Sequence, residues 1–462
     1  MEFIKSNKGG MKIAFEGYVY CKQKELANEV LLYECELRRS RNYCKAKIKV
    51  KNNELVSKVN EHTHPADATR IQNLKALQEM KNRARDTQET PHQIVTRAVE
   101  GMSEECSAIL PTISHLKRNL RQCRQRSQNS LPVPQNTQDL VIPLEYKNTK
   151  NGEQFLLYDS GPINQRILIF GTEKSVSYLE KCEHWYMDGT FSVTPGLFSQ
   201  VYTIHGCIGG RVVPSLYCLL PDKSEVTYSL LLEKVIGFNN NLQPKSIMID
   251  FERAMINSIA TVFPNAEING CFFHLSQNIY KKIQEFGLSQ LYNTDANFSL
   301  KMRMIAALAF YPPDNIEEAF ETLAEFLPVE ANELMDYFED NYIGRPTRTL
   351  RRPPRFAVNI WNMYSRVQED LPKTNNAVEG WHRSFASLVG CAHPSIWTFI
   401  RCIGKEHALQ EVYVTQVLSG HPRVEQKKIY KDTALRIKNI VEDVENRPIL
   451  DFLKGIAYNL SF

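Results

Sequence analysis

No run of apolar residues in this chain approaches the roughly 18 that a membrane-crossing helix needs, so the sequence predicts no membrane partner. Met1–Gly10 is polar and charged and has no signal-like apolar stretch. Cysteine is sparse and irregular: eleven scattered residues, an odd number, rarely close together. That excludes a disulfide framework as the expectation and favours a reducing compartment in which a few thiols serve a metal. The net charge is small, +4 over 462 residues, but it hides an asymmetry. Residues 1–130 carry 24 Lys+Arg against 15 Asp+Glu, a net of +9; the remainder carries 32 against 37, a net of −5. A basic first third on a mildly acidic body suggests an arm that finds polyanions and a body with another task. The length and the 43% hydrophobic content allow two to four domains with real cores.

Residues 1–67 read as a small β-rich unit, with strands over Phe15–Cys21, Val30–Glu36 and Ala46–Val50. Within it Cys35, Cys44, His62 and His64 are spaced C-x8-C-x17-H-x-H. Two thiolates and two imidazoles make a tetrahedral zinc set. Alternate residues of a strand face one side, which would suit H-x-H, and Pro65 would end that strand. A module this small, with few large apolar residues, needs such a staple; the alternative is unrelated core thiols and surface histidines. Lys45, Lys47, Lys49 and Lys51 alternate with Ala46, Ile48 and Val50. Together with Arg38, Arg39 and Arg41 they form either a phosphate-contacting stripe or a solvated, aggregation-resistant edge. The opening Phe3-Ile4, Gly17-Tyr18, Tyr33-Glu34-Cys35, Cys44 and His62-Thr63-His64 resemble a FLYWCH-type zinc finger. Glu34 departs from that pattern and leaves Tyr33 to supply the aromatic packing.

Residues 68–127 switch to helical period, with helices over Ile71–Asp86, Pro91–Gly101 behind a Thr90 N-cap, and Thr112–Arg126. Lys117, Arg118, Arg121, Arg124 and Arg126 crowd the end of the last helix. They suit either the helix dipole or a helix-turn-helix-like DNA contact. Residues 128–151 are polar and proline-rich and read as a linker.

From about 152 the pattern becomes mixed α/β. Asp188, in His-Trp-Tyr-Met-Asp-Gly-Thr-Phe, and Asp250, in Ser-Ile-Met-Ile-Asp-Phe-Glu, each close an apolar run that reads as a buried strand. A lone strand-end Asp usually caps its turn, but two in similar settings can hold divalent cations through oxygen. A pair of such ions clamps an in-line phosphoryl displacement. Three antiparallel strands, a helix, the Asp250 strand, and a further strand and helix follow the order of a ribonuclease-H-like core. Residues 288–370 read as a helical insertion, and 371–462 return to the core. The expected class is therefore a multidomain α+β protein: a β-rich finger, a helical linker domain, and an α/β core spanning 152–287 and 371–462. Glu379 lies in the first turn of the returning helix; Asn376-x-x-Glu379 is close to a capping box, so the spacing leaves a plain cap open.

Met187-Asp188-Gly189-Thr190-Phe191, Ile249-Asp250-Phe251-Glu252, Cys271-Phe272-Phe273-His274 and Thr374-Asn375-Asn376-Ala377-Val378-Glu379 together resemble the transposase domain of Mutator-like elements (MULE). The resemblance implies a D-D-E site of Asp188, Asp250 and Glu379 holding magnesium or manganese. It further implies cleavage and strand transfer at terminal inverted repeats of double-stranded DNA, a homo-oligomer on DNA, and a nuclear location. Cys271 and His274 match its C-x-x-H element and would bind metal, contact phosphate, or simply pack. Glu252 is a further acid beside the site, Asp222 reads as a turn residue, and Trp381 and His382 read first as packing residues. Two other classes remain open: a host-adopted DNA-binding regulator that keeps the fold, and a nuclease without strand transfer.

Overall fold

A computed structural model of the chain describes residues 1–5, 10–39, 43–87, 89–128, 131–348, 351–421 and 428–462. The chain forms two compact units, Met1–Pro132 and Val133–Phe462.

The first unit opens with an antiparallel meander in which each strand pairs with the next: β1 (Glu2–Lys5), β2 (Met11–Phe15), β3 (Tyr18–Glu25), β4 (Leu31–Cys35), β5 (Lys47–Lys51) and β6 (Glu54–Val59). Phe15–Cys21, expected as one strand, is instead a hairpin. Glu16 and Gly17 both take positive φ (50° and 79°), which reverses the chain between two apolar runs. Asn52 and Asn53 turn β5 into β6 in the same way, at φ 50° and 63°. The alternation at 46–50 holds. Ala46, Ile48 and Val50 are buried, while Lys45 is exposed and Lys47 and Lys49 are half-buried. Four helices follow: α1 (Ala68–Asp86), α2 (Pro91–Val99), α3 (Glu104–Ala108) and α4 (Ile113–Gln128). Thr90 and Gln93 close a reciprocal capping box at the start of α2. Met80, Ala84, Ile94, Val95, Leu116 and Leu120 form the core of α1, α2 and α4.

The second unit contains α5 (Leu144–Lys147), β7 (Leu156–Asp159), β8 (Leu168–Phe170), α6 (Glu173–Glu180), β9 (His184–Thr190), β10 (Gln200–Ile208), β11 (Arg211–Leu220), α7 (Glu225–Phe238), β12 (Ser246–Ile249), α8 (Arg253–Val262), β13 (Glu267–Gly270) and α9 (Phe272–Glu285). Its sheet order is β13-β12-β9-β10-β11-β8-β7. β9, β10 and β11 pair antiparallel, whereas β12 runs parallel to β9 and β13 parallel to β12. Gly270 ends β13 beneath the Phe251 ring, where a Cβ would stand 2.5 Å from a ring carbon. The strand therefore stops there, and the expected strand Ile268–Phe273 gives way to α9.

Helices α10 (Ser289–Thr294), α11 (Ala296–Ala307), α12 (Ile316–Phe326), α13 (Asn332–Phe338), α14 (Val358–Trp361) and α15 (Tyr364–Gln368) make a helical subdomain. The chain then returns through α16 (Asn376–Val389), α17 (Ile396–Leu418), α18 (Lys428–Glu442) and α19 (Ile449–Ala457). Residues of α9, α18 and α19 share the apolar core of that subdomain, among them Ile279, Val441 and Phe452.

Arg366, on α15, locks the return. Its buried guanidinium donates to Asn269 Oδ1 (2.7 Å), Ser246 Oγ (3.2 Å) and, twice, to Pro372 O (2.8 and 3.0 Å). Asn269 and Ser246 are buried, and leaving such an acceptor unpaired costs about 1–3 kcal/mol. Arg366→Met should therefore lower the stability of residues 133–462 by roughly 2–4 kcal/mol. All four tryptophans lie in this unit, so their fluorescence during urea unfolding measures the loss. An unchanged midpoint would contradict the locking role.

Candidate metal centre and acidic site

The finger residues meet where the sheet of the first unit ends. Cys35 closes β4, Cys44 lies in the segment before β5, and both are buried. His62 and His64 do not share a strand, as the H-x-H spacing had suggested. β6 stops at Val59, Asn60 takes φ 60°, and the histidines follow in irregular chain. The four ligand atoms nevertheless lie within 4.8 Å of one another. Cys35 Sγ is 3.2 Å from His64 Nε2, Cys44 Sγ is 3.4 Å from His62 Nδ1, and those two nitrogens are 3.3 Å apart. Metal bonds of about 2.0–2.3 Å in a tetrahedron imply ligand separations of roughly 3.3–3.8 Å. The cluster therefore fits a structural zinc.

The remaining ring nitrogens fix which atoms face the metal. His64 Nδ1 donates to Pro65 O at 2.9 Å, and His62 Nε2 pairs with Tyr20 Oη at 2.7 Å. Tyr18 stacks on His62 with ring centroids 3.5 Å apart. Tyr33 is thus not the sole aromatic support: it packs in the core beside Tyr20, while Tyr18 and Tyr20 hold the ligand.

The basic candidates separate by geometry. Arg38 pairs with Glu34 at 3.0 Å, an interaction that explains the unusual Glu34, and sits over the Tyr43 ring with Lys45 on it as well. Arg39, Lys51, Arg118 and Arg121 are exposed and Lys117 is half-buried. Arg124 is committed elsewhere: its guanidinium donates to Ala84 O, Thr87 O and Glu89 O, capping the end of α1. Arg41 and the Arg126 side chain lie outside the described residues.

In the second unit Asp188 lies inside β9, paired with Thr203, because Gly189 and Thr190 continue the ladder past it. Asp250 follows the last residue of β12. Glu379 is in the first turn of α16 but makes no capping box: the N-cap is Asn375, whose side chain donates to Met187 O (3.2 Å) instead. Glu379 Oε1 stands 3.7 Å from His274 Nε2, and the other nitrogen of that ring, Nδ1, lies 2.7 Å from Asp250 Oδ1. The close approach is an ion-pair contact rather than a well-directed hydrogen bond, since neither atom has a properly aligned partner. His274 therefore stands between two acids. Cys271, the other half of the C-x-x-H element, is buried, and its Sγ accepts the Asn375 N–H (3.2 Å). Among the described residues, only the finger's ligands gather within 4.8 Å of one another, so the acids are spread more widely than one closed ion cage.

Asp188 is 8% exposed, and burial, then Asp250, push its carboxyl up to about 7. Burial and Asp250 also raise Glu379, against the lowering effect of His274. Burial works against a charge on His274, but Asp250 and Cys271 outweigh it and push the imidazole up to about 11. His382, by contrast, is pushed down to about 4 by burial. Its Nδ1 lies 3.5 Å from Asp188 Oδ2 and its Nε2 3.3 Å from Thr203 Oγ1, so the uncharged ring braces Asp188. The sequence had placed His382 among packing residues. Its position three residues after Glu379, hence on the same helix face, was the available signal. Trp381 does pack: its Nε1 donates to buried Glu406 (2.9 Å) and it stacks on Phe385.

Asp188 and Asp250 line a small pocket with Phe191, Gln200, Tyr202, Lys223 and Glu252. Glu252 accepts from Tyr228 Oη (3.0 Å) and faces Lys223 Nζ (3.6 Å). Asp222 accepts from Ser224 and Thr227 at the start of α7, as a turn residue does.

Two family models match this architecture. Residues 184–278 match the MULE transposase domain, a stretch that takes in Asp188, Asp250, Cys271 and His274 and ends before Glu379. Residues 3–64 match the FLYWCH zinc finger domain. The chain is thus a transposase-related DNA-binding protein. More particularly, it carries a MULE transposase domain behind an N-terminal FLYWCH zinc finger. No curated protein matches the chain. Among the described residues no helix is long and apolar enough to cross a membrane.

Two outcomes follow. Cys35→Ala or His64→Ala should abolish zinc binding and unfold residues 1–67, because the metal supplies most of such a module's folding free energy. Zinc content near zero in the wild-type chain purified without chelator would refute the assignment. For the acids, a carboxyl raised from 3.8 to about 7 lends stability that is complete below pH 3.8 and lost as the pH rises to about 7. A histidine raised from 6.5 to about 11 lends stability lost between those values. Buried His382 and His407, both held down to about 4, work in the opposite sense, so the acid's share is read by difference. In chelator, the melting temperature of Asp188→Asn should rise relative to that of the wild type as the pH goes from about 4 to 7. Tryptophan-detected melting checks this, and a difference that does not change with pH would contradict it.

Proposed function

We propose that this chain is a DNA transposase of the D-D-E type, with Asp188, Asp250 and Glu379 as its three acids. The observation that carries the reading is their approach from three separate elements, β9, the end of β12 and α16. Asp250 and Glu379 flank His274, and Asp188, against His382, is held up to about 7 by burial and by Asp250 and Glu379, which lie near enough to act on it. Folding alone does not favour such a gathering, because buried like charges repel. The strand order supports a ribonuclease-H-like core: three antiparallel strands, then two more running parallel to the first. On this reading residues 288–370 are its helical insertion and 371–462 the return.

The acids offer oxygen ligands alone, a donor set that fits magnesium or manganese. Bound there, the ions would activate water or a DNA 3′-hydroxyl and stabilise the leaving oxygen. The chain's own residues do the positioning. His274 spaces Asp250 from Glu379, His382 and Thr203 brace Asp188, and Asn375 ties the start of α16 to β9. The zinc finger and the exposed bases of α4 supply DNA affinity, since phosphate contacts position a protein and base contacts specify the site. Element ends bearing inverted repeats are the proposed substrate, paired by a homo-oligomer in the nucleus.

Asp188→Asn should lower magnesium-dependent nicking of supercoiled plasmid by about two orders of magnitude or more while leaving duplex binding unchanged. If the wild-type chain binds duplex DNA but cuts none with magnesium or manganese, the enzyme reading fails and the host-adopted DNA-binding reading takes its place.

A further inference from the structure

The helical subdomain carries a basic feature that neither the finger nor the acids account for. Residues 344–356 contain five arginines, Arg345, Arg348, Arg351, Arg352 and Arg355, with no lysine and no acid, in a body that is otherwise net acidic. The described residues of this segment, 344–348 and 351–356, run antiparallel. Pro346 and Arg351 bridge antiparallel, Arg352 N–H donates to Arg345 O (2.8 Å), and Phe356 N–H donates to Asn341 O (2.8 Å). Gly344 makes the bend possible at φ 91°, where a Cβ would fall 2.0 Å from Arg352 O.

Two of the arginines hold the segment in place. Arg351 is held by Glu317 (3.1 Å), Glu321 (2.5 Å), Glu339 (2.9 Å) and Gly344 O (2.7 Å), and Arg345 by Asp340 and Asp336. The nearby acids are thereby engaged on one side. Arg352, the neighbour of Arg351, lies near enough to Asp340 to help Arg345 hold that carboxyl below its usual range, but it makes no ion pair with it. Arg348, Arg352 and Arg355 are exposed and form no ion pair among the described residues.

The segment is also fixed against the acidic site. Phe251, next to Asp250, packs edge-on against Phe356 at 5.1 Å, next to Arg355, and Arg253 Nη1 donates to Arg355 O at 2.8 Å. Exposed guanidiniums free of ion pairs are forks for phosphate oxygens, and Arg355 is further oriented over the Phe356 ring at 5.4 Å. We infer that Arg348, Arg352 and Arg355 form a second DNA-contacting surface, separate from the finger, that holds the sugar-phosphate backbone of a duplex beside Asp250. The inference rests on the reading of the acids as a DNA-processing site, and it makes the helical subdomain part of DNA binding.

The test uses the full chain and a mixed-sequence 30-bp duplex, with affinity followed by fluorescence anisotropy across sodium chloride concentrations. Three lost phosphate contacts should make the slope of log affinity against log salt shallower by about 2.7 in Arg348→Gln/Arg352→Gln/Arg355→Gln. The corresponding triple Lys variant should keep most of the slope, and the tryptophan-detected melting temperature should not change in either. In plasmid nicking, the Gln variant should need more DNA for half-maximal rate and keep its rate at saturation. A slope equal to that of the wild type overturns the inference, and if magnesium-dependent nicking persists in that chain, the reading of the acids stands without it. A shallower slope in a chain whose wild type never nicks DNA upholds the surface as a DNA contact and removes the transposase reading instead.

Discussion

Carboxylates withdrawn from water repel one another, and the architecture around Asp188, Asp250 and Glu379 opposes that repulsion with hydrogen bonds that involve none of the three acids. Asn375 reaches Met187 O and Cys271 Sγ, the Phe272 N–H donates to Lys373 O, and Arg366 binds β12, β13 and the chain entering α16. These bonds form a seam between the parallel strands and the returning helix. Because they carry no acid of their own, they hold Glu379 near the aspartates without neutralising it. His274 then supplies a cationic neighbour to two of the acids. The cost of gathering like charges is thus opposed by a seam of hydrogen bonds, in which the Asn375 amide nitrogen is bonded while its buried Oδ1 has no partner.

The finger and the acidic site use related chemistry to opposite ends. In the finger, each histidine spends its second nitrogen on a fixed partner, Tyr20 or Pro65 O, and all four ligand atoms face one point. Nothing is left open, as a structural zinc requires. The acids are spread more widely, lie partly in a pocket, and include one oxygen without an aligned partner. The two clusters thus differ in closure as well as in residue type.

Much of this was legible from the sequence, and its limits have physical causes. The zinc ligands, the two aspartates, the strands β9 to β12 and the basic face of β5 all rest on short-range patterns, alternation and ligand spacing. The hairpin at Glu16-Gly17 was not legible as such, because a polar residue and a glycine between two apolar runs also suit a strand, and the positive φ that turns the chain is decided at those two residues alone. The placement of His62 and His64 on a strand erred for a similar reason: spacing says that two side chains can converge, not which backbone brings them together. Arg124 looked like one more basic residue on a helix end, and only tertiary structure shows its guanidinium capping α1. Glu379 was ambiguous between cap and site because both readings need an acid in the first helical turn. Its partner His274 is distant in sequence, and no local pattern reports that contact.

The long separation between Asp250 and Glu379 raises a final question, which is why it does not loosen the site. Closing a flexible loop costs entropy that grows only logarithmically with length, so length by itself is a modest burden. A larger cost would come from motion of an unfolded segment at its anchor points. Here the intervening residues fold around their own core of Phe310, Phe338, Tyr342 and Trp361, and that core recruits α9 on one side and α18 and α19 on the other. The segment therefore enters from β13 and α9 and leaves through Arg366 and Pro372 as a rigid body tied at both ends. Phe251, wedged among Gly270, Tyr342 and Phe356, extends the tie to the residue beside Asp250. A helical segment joined in this way adds stiffness where a disordered one would remove it, and the acid that follows it in sequence is held in part by the packing of that segment.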